Sequence, residues 1–159
     1  MKIGVISDTH GLLRPEAIAA LAGVEQILHA GDIGSAEILD QLSLLAPVTA
    51  VRGNVDQGKP WALEIPDRVE LKLLKWKLLL IHDVHDLHDA NERLADNNLQ
   101  EVDLVVSGHS HQPRWLQETK ISWLNPGSAG RRRFSLPISL ALMDLSDQKI
   151  SVEMVDLEH

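Results

Sequence analysis

The 159-residue chain contains no cysteine. That removes disulfides, thiolate metal sites and a cysteine nucleophile, and it agrees with a reducing compartment. The chain also lacks a basic excess: 15 Lys and Arg stand against 23 Asp and Glu, for a net charge of −8. Non-specific binding to a phosphate backbone depends on many cationic contacts, so nucleic acid is not an expected partner. No apolar run approaches bilayer length; the strongly aliphatic stretch Leu78 to Ile81 is far too short. Met1-Lys2-Ile3-Gly4 leads straight into a strand pattern without a signal-peptide layout, so the expected location is cytoplasmic, away from the membrane. No linker, repeat or low-complexity tract interrupts the sequence, which predicts one domain over residues 1–156. The ending Leu157-Glu158-His159 reads as a cloning-site and histidine-tag remnant and is left out of the functional reading.

What is present is an ordinary globular mixture, 44% hydrophobic and 24% charged. A chain of this length buries about two-thirds of its unfolded surface and needs no structural metal to fold, so a bound metal would serve chemistry. Strand-like runs at Ile3 to Ile6, Ile27-Leu28 and Val48 to Val51 alternate with two helix patterns. The first helix starts at Pro15 and stops before Gly23; the second is capped by Ser35 and carries Ile38, Leu42 and Leu45 on its apolar face. This βαβαβ beginning predicts a parallel sheet. Further on, Val69, Leu71 and Leu73 alternate with Glu70 and Lys72 before the strand Leu78 to Ile81, and a third helix is expected over Asp86 to Asn98, with Leu87, Asn91 and Leu94 on one side and Asp89 four residues before Arg93. After Leu104 to Val106, segments at Trp115, Ile121 to Leu124, Ile138 to Met143 and Ile150 to Val155 are spaced like antiparallel strands. The expected fold is α/β, with two sheets packed face to face and helices outside.

The unusual polar residues fall just after strands. Asp8 and His10 follow the first, Gly31-Asp32 the second and Gly53-Asn54 the third; His82 follows Ile81, and His109 and His111 follow Ser107. Any one of these has an ordinary explanation as a turn former, cap or hydrogen-bonded histidine. Seven oxygen and nitrogen donors at five successive strand ends are another matter, because ligands of open α/β sheets bind where strands end. Imidazole with carboxylate and no thiolate suits Mn, Fe, Zn or Ni. A carboxylate can touch two ions at once, and Asp32 is placed to do so; a pair about 3.5–4 Å apart clamps a phosphoryl group and acidifies a water.

Asp8-Thr9-His10, Gly31-Asp32, Gly53-Asn54-Val55-Asp56, His82 and Gly108-His109-Ser110-His111 resemble, in order and spacing, the calcineurin-like metallophosphoesterase superfamily. With the late Asn125-Pro126-Gly127-Ser128, the resemblance is to its small single-domain branch, phosphodiesterases related to a retromer subunit of similar fold. It implies a four-layer αββα sandwich of two mixed sheets, two divalent ions with Mn first among them, and a phosphodiester as the small-molecule substrate. It further implies that Asp8, His10 and His111 hold one ion, that Asn54, His82 and His109 hold the other, that Asp32 bridges them, and that a bridging hydroxide attacks phosphorus in line. Two positions depart from the pattern. Val55 stands where the wider superfamily has a histidine that protonates the leaving group or holds the phosphate, and the small branch commonly lacks that histidine too. His82-Asp83-Val84-His85 stands where relatives more often have His-Gly-His; His85 still falls at the expected spacing and is a candidate catalytic residue beside Asp32 and Asn54, in contact with substrate or a bridge ligand, with a solvated histidine at a helix entry as the other reading.

Other features have more than one reading. Arg52 could orient Asp56 or another site carboxylate, or form an ordinary strand-end ion pair. Arg131-Arg132-Arg133 could meet a substrate phosphate or simply form a solvated loop. Trp61, Trp76, Trp115 and Trp123 read as core or subunit-contact residues, and a homo-oligomer is left open. The alternative function is that of a protein-binding scaffold like the retromer relative, whose metal ligands are partly lost; here all seven are present. A nuclease of the same superfamily would want a capping domain and a basic face.

Overall fold

The computed structural model describes residues 1–89 and 101–158, with the side chains of His88 and Asp89 left aside. The order is β1 (Lys2–Ile6), α1 (Pro15–Ala20), β2 (Gln26–His29), α2 (Ala36–Ser43), β3 (Val48–Ala50), β4 (Arg68–Leu73), β5 (Trp76–Ile81), α3 (His85–Asp89), β6 (Leu104–Val106), β7 (Arg114–Leu116), β8 (Ser122–Asn125), β9 (Ser139–Leu145) and β10 (Ile150–Asp156). The third helix is therefore described only to Asp89, and its predicted continuation to Asn98, with Asn91, Leu94 and Arg93, lies outside the described residues.

Among the described residues ten strands make two five-stranded mixed sheets, ordered β10-β9-β1-β2-β3 and β4-β5-β6-β8-β7. In the first, β1, β2 and β3 run parallel, as the alternation of strand and helix requires, and β9 and β10 close the other edge antiparallel. In the second, β5, β6 and β8 are parallel while β4 and β7 are antiparallel edges. The late strands are thus not all antiparallel: β8 pairs antiparallel with β7 but parallel with β6.

The period-two alternation of strand side chains sorts the core into layers. Ile3, Val5 and Leu28 from the first sheet meet Leu78, Leu80, Leu104 and Val106 from the second, forming the layer between the sheets. The opposite parity, Ile6 and Ile27, packs with Ala17 and Leu21 near α1 and with Ile38 and Leu42 of α2. Leu79, Ile81 and Val105 do the same on the outer side of the second sheet, with Leu87 of α3. Trp115 and Trp123 share a hairpin but face opposite ways, because Trp115 is paired with Leu124 and Leu116 with Trp123; Trp115 joins the inner layer and Trp123 the outer one. Pro15 opens α1 as expected. Ser35 does occupy the cap of α2, but its side chain makes no capping hydrogen bond there. Leu157 is buried, its N–H donating to the Ile138 carbonyl. Among the described residues no helix is long and apolar enough to cross a membrane.

Candidate metal centre

Beyond the ends of β1 and β2 the parallel pairing continues through the loops. Asp8 N–H donates to Gly31 O, His10 N–H to Asp32 O and Gly11 N–H to Ile33 O, at 2.8–3.0 Å, so the Asp8-Thr9-His10 and Gly31-Asp32 turns are zipped side by side. In the second sheet, Gly108 N–H donates to the His82 carbonyl at 2.9 Å. The two sheets then meet: His109 N–H donates to Asp8 Oδ2 at 3.1 Å. Glycine is required at this crossing, since a Cβ on Gly108 would overlap the Ser7 hydroxyl.

The backbone is strained here. Of the seven non-glycine residues with left-handed φ among the described residues, five are Asp8, His10, Asp32, His109 and His111, at φ 47° to 71°. Such conformations cost free energy and persist where surrounding structure enforces them, typically at functional sites.

Each carboxylate has one oxygen held and one oxygen turned inward. Asp8 Oδ2 accepts from Ser7 Oγ at 2.6 Å and from His109 N–H, while Asp8 Oδ1 is buried without a hydrogen-bond partner, 3.2 Å from His111 Nε2 and 3.8 Å from His10 Nε2. Asp32 Oδ1 accepts from Val55 N–H at 3.1 Å, and Asp32 Oδ2 lies 3.5 Å from His10 Nε2 and 3.4 Å from His82 Nε2. His82 donates from Nδ1 to the Ala30 carbonyl at 2.7 Å, which fixes the tautomer and leaves Nε2 for the centre. His10 Nε2, His82 Nε2 and both nitrogens of His111 are buried without hydrogen-bond partners. Unpaired buried polar atoms are rare and costly. A divalent cation suits this donor set, and two overlapping groups have donor atoms within 4.8 Å of one another: Asp8, His10 and His111, and Asp8, Asp32 and His82.

The charges agree. Burial raises the Asp32 pKa, but the His82 side chain and Val55 N–H more than offset it and hold it at about 2. Burial lowers the His82 pKa, yet Asp32 overcomes that and raises it to about 9.

The remaining candidates lie at the edge. The His109 ring sits edge-on to His82 with centroids 5.2 Å apart, and its Nε2 is 3.5 Å from Asp83 Oδ2, so it joins neither three-donor group. Asn54 is exposed and shares a surface pocket with His82. His85, at the start of α3, has an 81% exposed side chain whose Nδ1 donates to Asp83 Oδ1 at 2.8 Å. Asp83 thus holds His85 with one oxygen and faces His109 with the other, a role glycine could not fill. Arg52 does not orient Asp56; it forms a two-pronged pair with Asp67 at 3.0 and 3.1 Å.

Sequence reasoning missed the residues that hold the loops in place. Asp56 is buried, and its two oxygens accept from the N–H groups of Ile33, Gly34 and Gly53 at 2.9–3.0 Å, which pins the Asp32 turn to the Asn54 turn. The 3₁₀ turn Asn54–Asp56 that presents it follows from its spacing three residues after Gly53. Asn125 donates to Gly108 O and to Ser110 Oγ at 2.9 and 3.0 Å, bracing the His109 loop. His29 accepts from Gly31 N–H at Nδ1, so its Nε2–H faces Thr9 Oγ1 at 3.0 Å, and the Thr9 hydroxyl passes the chain on to Ile33 O at 2.8 Å.

Complete burial pushes the His29 pKa down to about 4, against the pull of Asp8 and Asp56. The unfolded chain takes up this proton near the ordinary 6.5, so stability is fully present above pH 6.5 and falls as pH drops through 6.5 to about 4. The expected loss across that window is about 3 kcal/mol. Denaturant titrations at several pH values check it: His29→Asn, which keeps an acceptor for Gly31 N–H, should show a shallower acid decline, and identical slopes would refute the assignment.

Residues 1–148 match the family model described as "Calcineurin-like phosphoesterase superfamily domain". A probable metallophosphoesterase of Methanothermobacter thermautotrophicus is 36% identical, the alignment covering 98% of this chain and 92% of that protein. A phosphodiesterase of Methanocaldococcus jannaschii is 28% identical over 80% of this chain and 83% of its own. Among solved structures, wild-type Vps29 of Entamoeba histolytica, in complex with Zn²⁺, superposes with a TM-score of 0.71 at 23% identity, covering 99% of this chain and all of that one.

Proposed function

Because the chain belongs to the calcineurin-like phosphoesterase superfamily, we propose that it is a cytoplasmic, single-domain, metal-dependent phosphodiesterase with a dinuclear centre that prefers Mn. The observation that carries the reading is the convergence of buried, unpartnered donor atoms on one point: Asp8 Oδ1, His10 Nε2, His82 Nε2 and His111 Nε2, with Asp32 Oδ2 beside them. Asp8, His10 and His111 would hold one ion, His82, His109 and Asn54 the other, and Asp32 would bridge, its Oδ2 lying between a histidine of each set. Bound there, two divalent ions supply Lewis acidity for a phosphoryl group and a nucleophile at neutral pH. The diester preference draws on the phosphodiesterase relative.

The chain's own residues do the rest. Ser7 and the His109 and Val55 amides fix the held oxygens of Asp8 and Asp32, so the inward oxygens keep their aim. With valine at 55, two histidines lie near the centre outside the ligand set among the described residues: His29, which is buried and engaged by Gly31 N–H and Thr9, and the exposed His85. The His85 Nδ1–H is tied to Asp83, so Nε2 is the atom that would pass a proton to the departing ester oxygen.

Metal analysis of protein equilibrated with excess Mn²⁺ should return two ions per chain together with turnover of bis-p-nitrophenyl phosphate. One ion or none, or no turnover of any phosphoester, sinks the reading. Across diesters of graded leaving-group pKa, His85→Ala should steepen the dependence of kcat/KM and cost alkyl diesters about 10²-fold or more, the usual share of a general acid. Parallel series in wild type and variant remove His85 from the mechanism.

A further inference from the structure

On the outer side of the second sheet, next to the centre, lies a cavity of about 450 Å³, within the range of small-molecule sites. One end is formed by Gly108 and His109, and the His109 ring stands edge-on to His82 of the donor cluster with centroids 5.2 Å apart. Its walls change character away from that end. Val84, Leu116 and Trp123 line it, the last two paired across the β7–β8 hairpin and therefore on the same face. Polar side chains line the rest, among them Asp83 with the His85 it holds, Ser110, Gln112 and the exposed Arg114.

We propose that this cavity is the leaving-group subsite and takes a flat aromatic substituent of the phosphodiester. The proposal rests on the phosphoesterase reading above, which places the phosphoryl group at the donor cluster. From there one ester substituent enters the cavity past His109, where a half-buried indole and two aliphatic side chains offer an apolar surface for a ring. His85 lines the same cavity, so the ester oxygen carried by this substituent is the one it faces. In the step the nucleophile's oxygen bonds to phosphorus, the bond from phosphorus to that ester oxygen breaks, and the oxygen leaves with the proton from His85 Nε2. Arg114 offers a cation to the ring or to its polar substituents.

Calorimetric binding of phenylphosphonate and methylphosphonate to the Mn-loaded protein separates the subsite from the centre without turnover. Wild type should bind the phenyl probe about tenfold to a hundredfold more tightly. Trp123→Ala removes part of the wall, and Leu116→Trp, at a half-exposed position that tolerates the change, fills the cavity; both should bring the ratio close to one and leave methylphosphonate affinity and metal content unchanged. Equal affinities in wild type overturn the subsite while leaving the metal centre intact. A ratio that survives both variants places the ring elsewhere and also overturns it. If neither probe binds and the protein takes up no metal, the phosphoesterase reading fails and the subsite fails with it.

Discussion

Asp32→Ala is expected to reduce turnover of bis-p-nitrophenyl phosphate by about 10³-fold or more, because metal-assisted charge stabilisation amounts to several kcal/mol and each 1.36 kcal/mol is a factor of ten. The effect should not be one of misfolding. The backbone of Asp32 keeps its bond from His10 N–H, and the loop is held from the other side by Asp56. The same substitution should lower the pKa of His82 in metal-free protein from about 9, since burial then acts against its charge without the Asp32 carboxylate. Proton NMR of the His82 ring, thermal melting and metal content together distinguish a lost bridge from a damaged fold. A folded variant that keeps two ions per chain and its activity would remove Asp32 from the bridging role.

The second large effect is on stability. Asp56→Ala strips three amide N–H groups of their acceptor at once, those of Ile33, Gly34 and Gly53. An unsatisfied buried donor costs about 1–3 kcal/mol, so the loss should be about 3 kcal/mol or more, a large part of the 5–15 kcal/mol typical of a folded domain. Asp56→Asn should recover only part of it, because an amide nitrogen would meet the N–H that one carboxylate oxygen now accepts. Activity should fall as well, since the Asp32 and Asn54 turns lose their common anchor. Denaturant unfolding and turnover of the same preparations test this, and a destabilisation within 1 kcal/mol would show that the amides find other partners.

These two carboxylates mark how far the sequence could be read. Asp32 was legible because it follows a glycine at the end of an apolar run, in company with four similar turns. Asp56 was seen as part of the same motif, but its work consists of accepting three backbone amides from two loops, and nothing in residue type encodes that. The first three strands and their parallel order were legible from run length and intervening helix patterns. The direction of β8 was not, because alternation of side chains reports a face and says nothing of the neighbour across which the strand pairs. Arg52 read either as orienting Asp56 or another site carboxylate or as an ordinary strand-end ion pair, and folding brought Asp67 to it. Asp83 was visible as a departure from glycine; that it holds His85 with one oxygen and faces His109 with the other required coordinates.

The origin of the donors has a mechanical consequence. Asp8, His10 and Asp32 are carried by the first sheet, and His82, His109 and His111 by the second. A cation held by both sets is therefore a cross-link between the layers, in a chain with no cysteine to supply a covalent one. Opening that parts the sheets would have to break this link, whereas fraying of an edge strand would not. Loading at a hundred times the dissociation constant stabilises the closed form by about 2.7 kcal/mol. Amide hydrogen exchange should therefore slow together at Ile3 to Val5 and Leu78 to Leu80, on the two faces of the inner layer, while β10 and β4 at the edges exchange much as before.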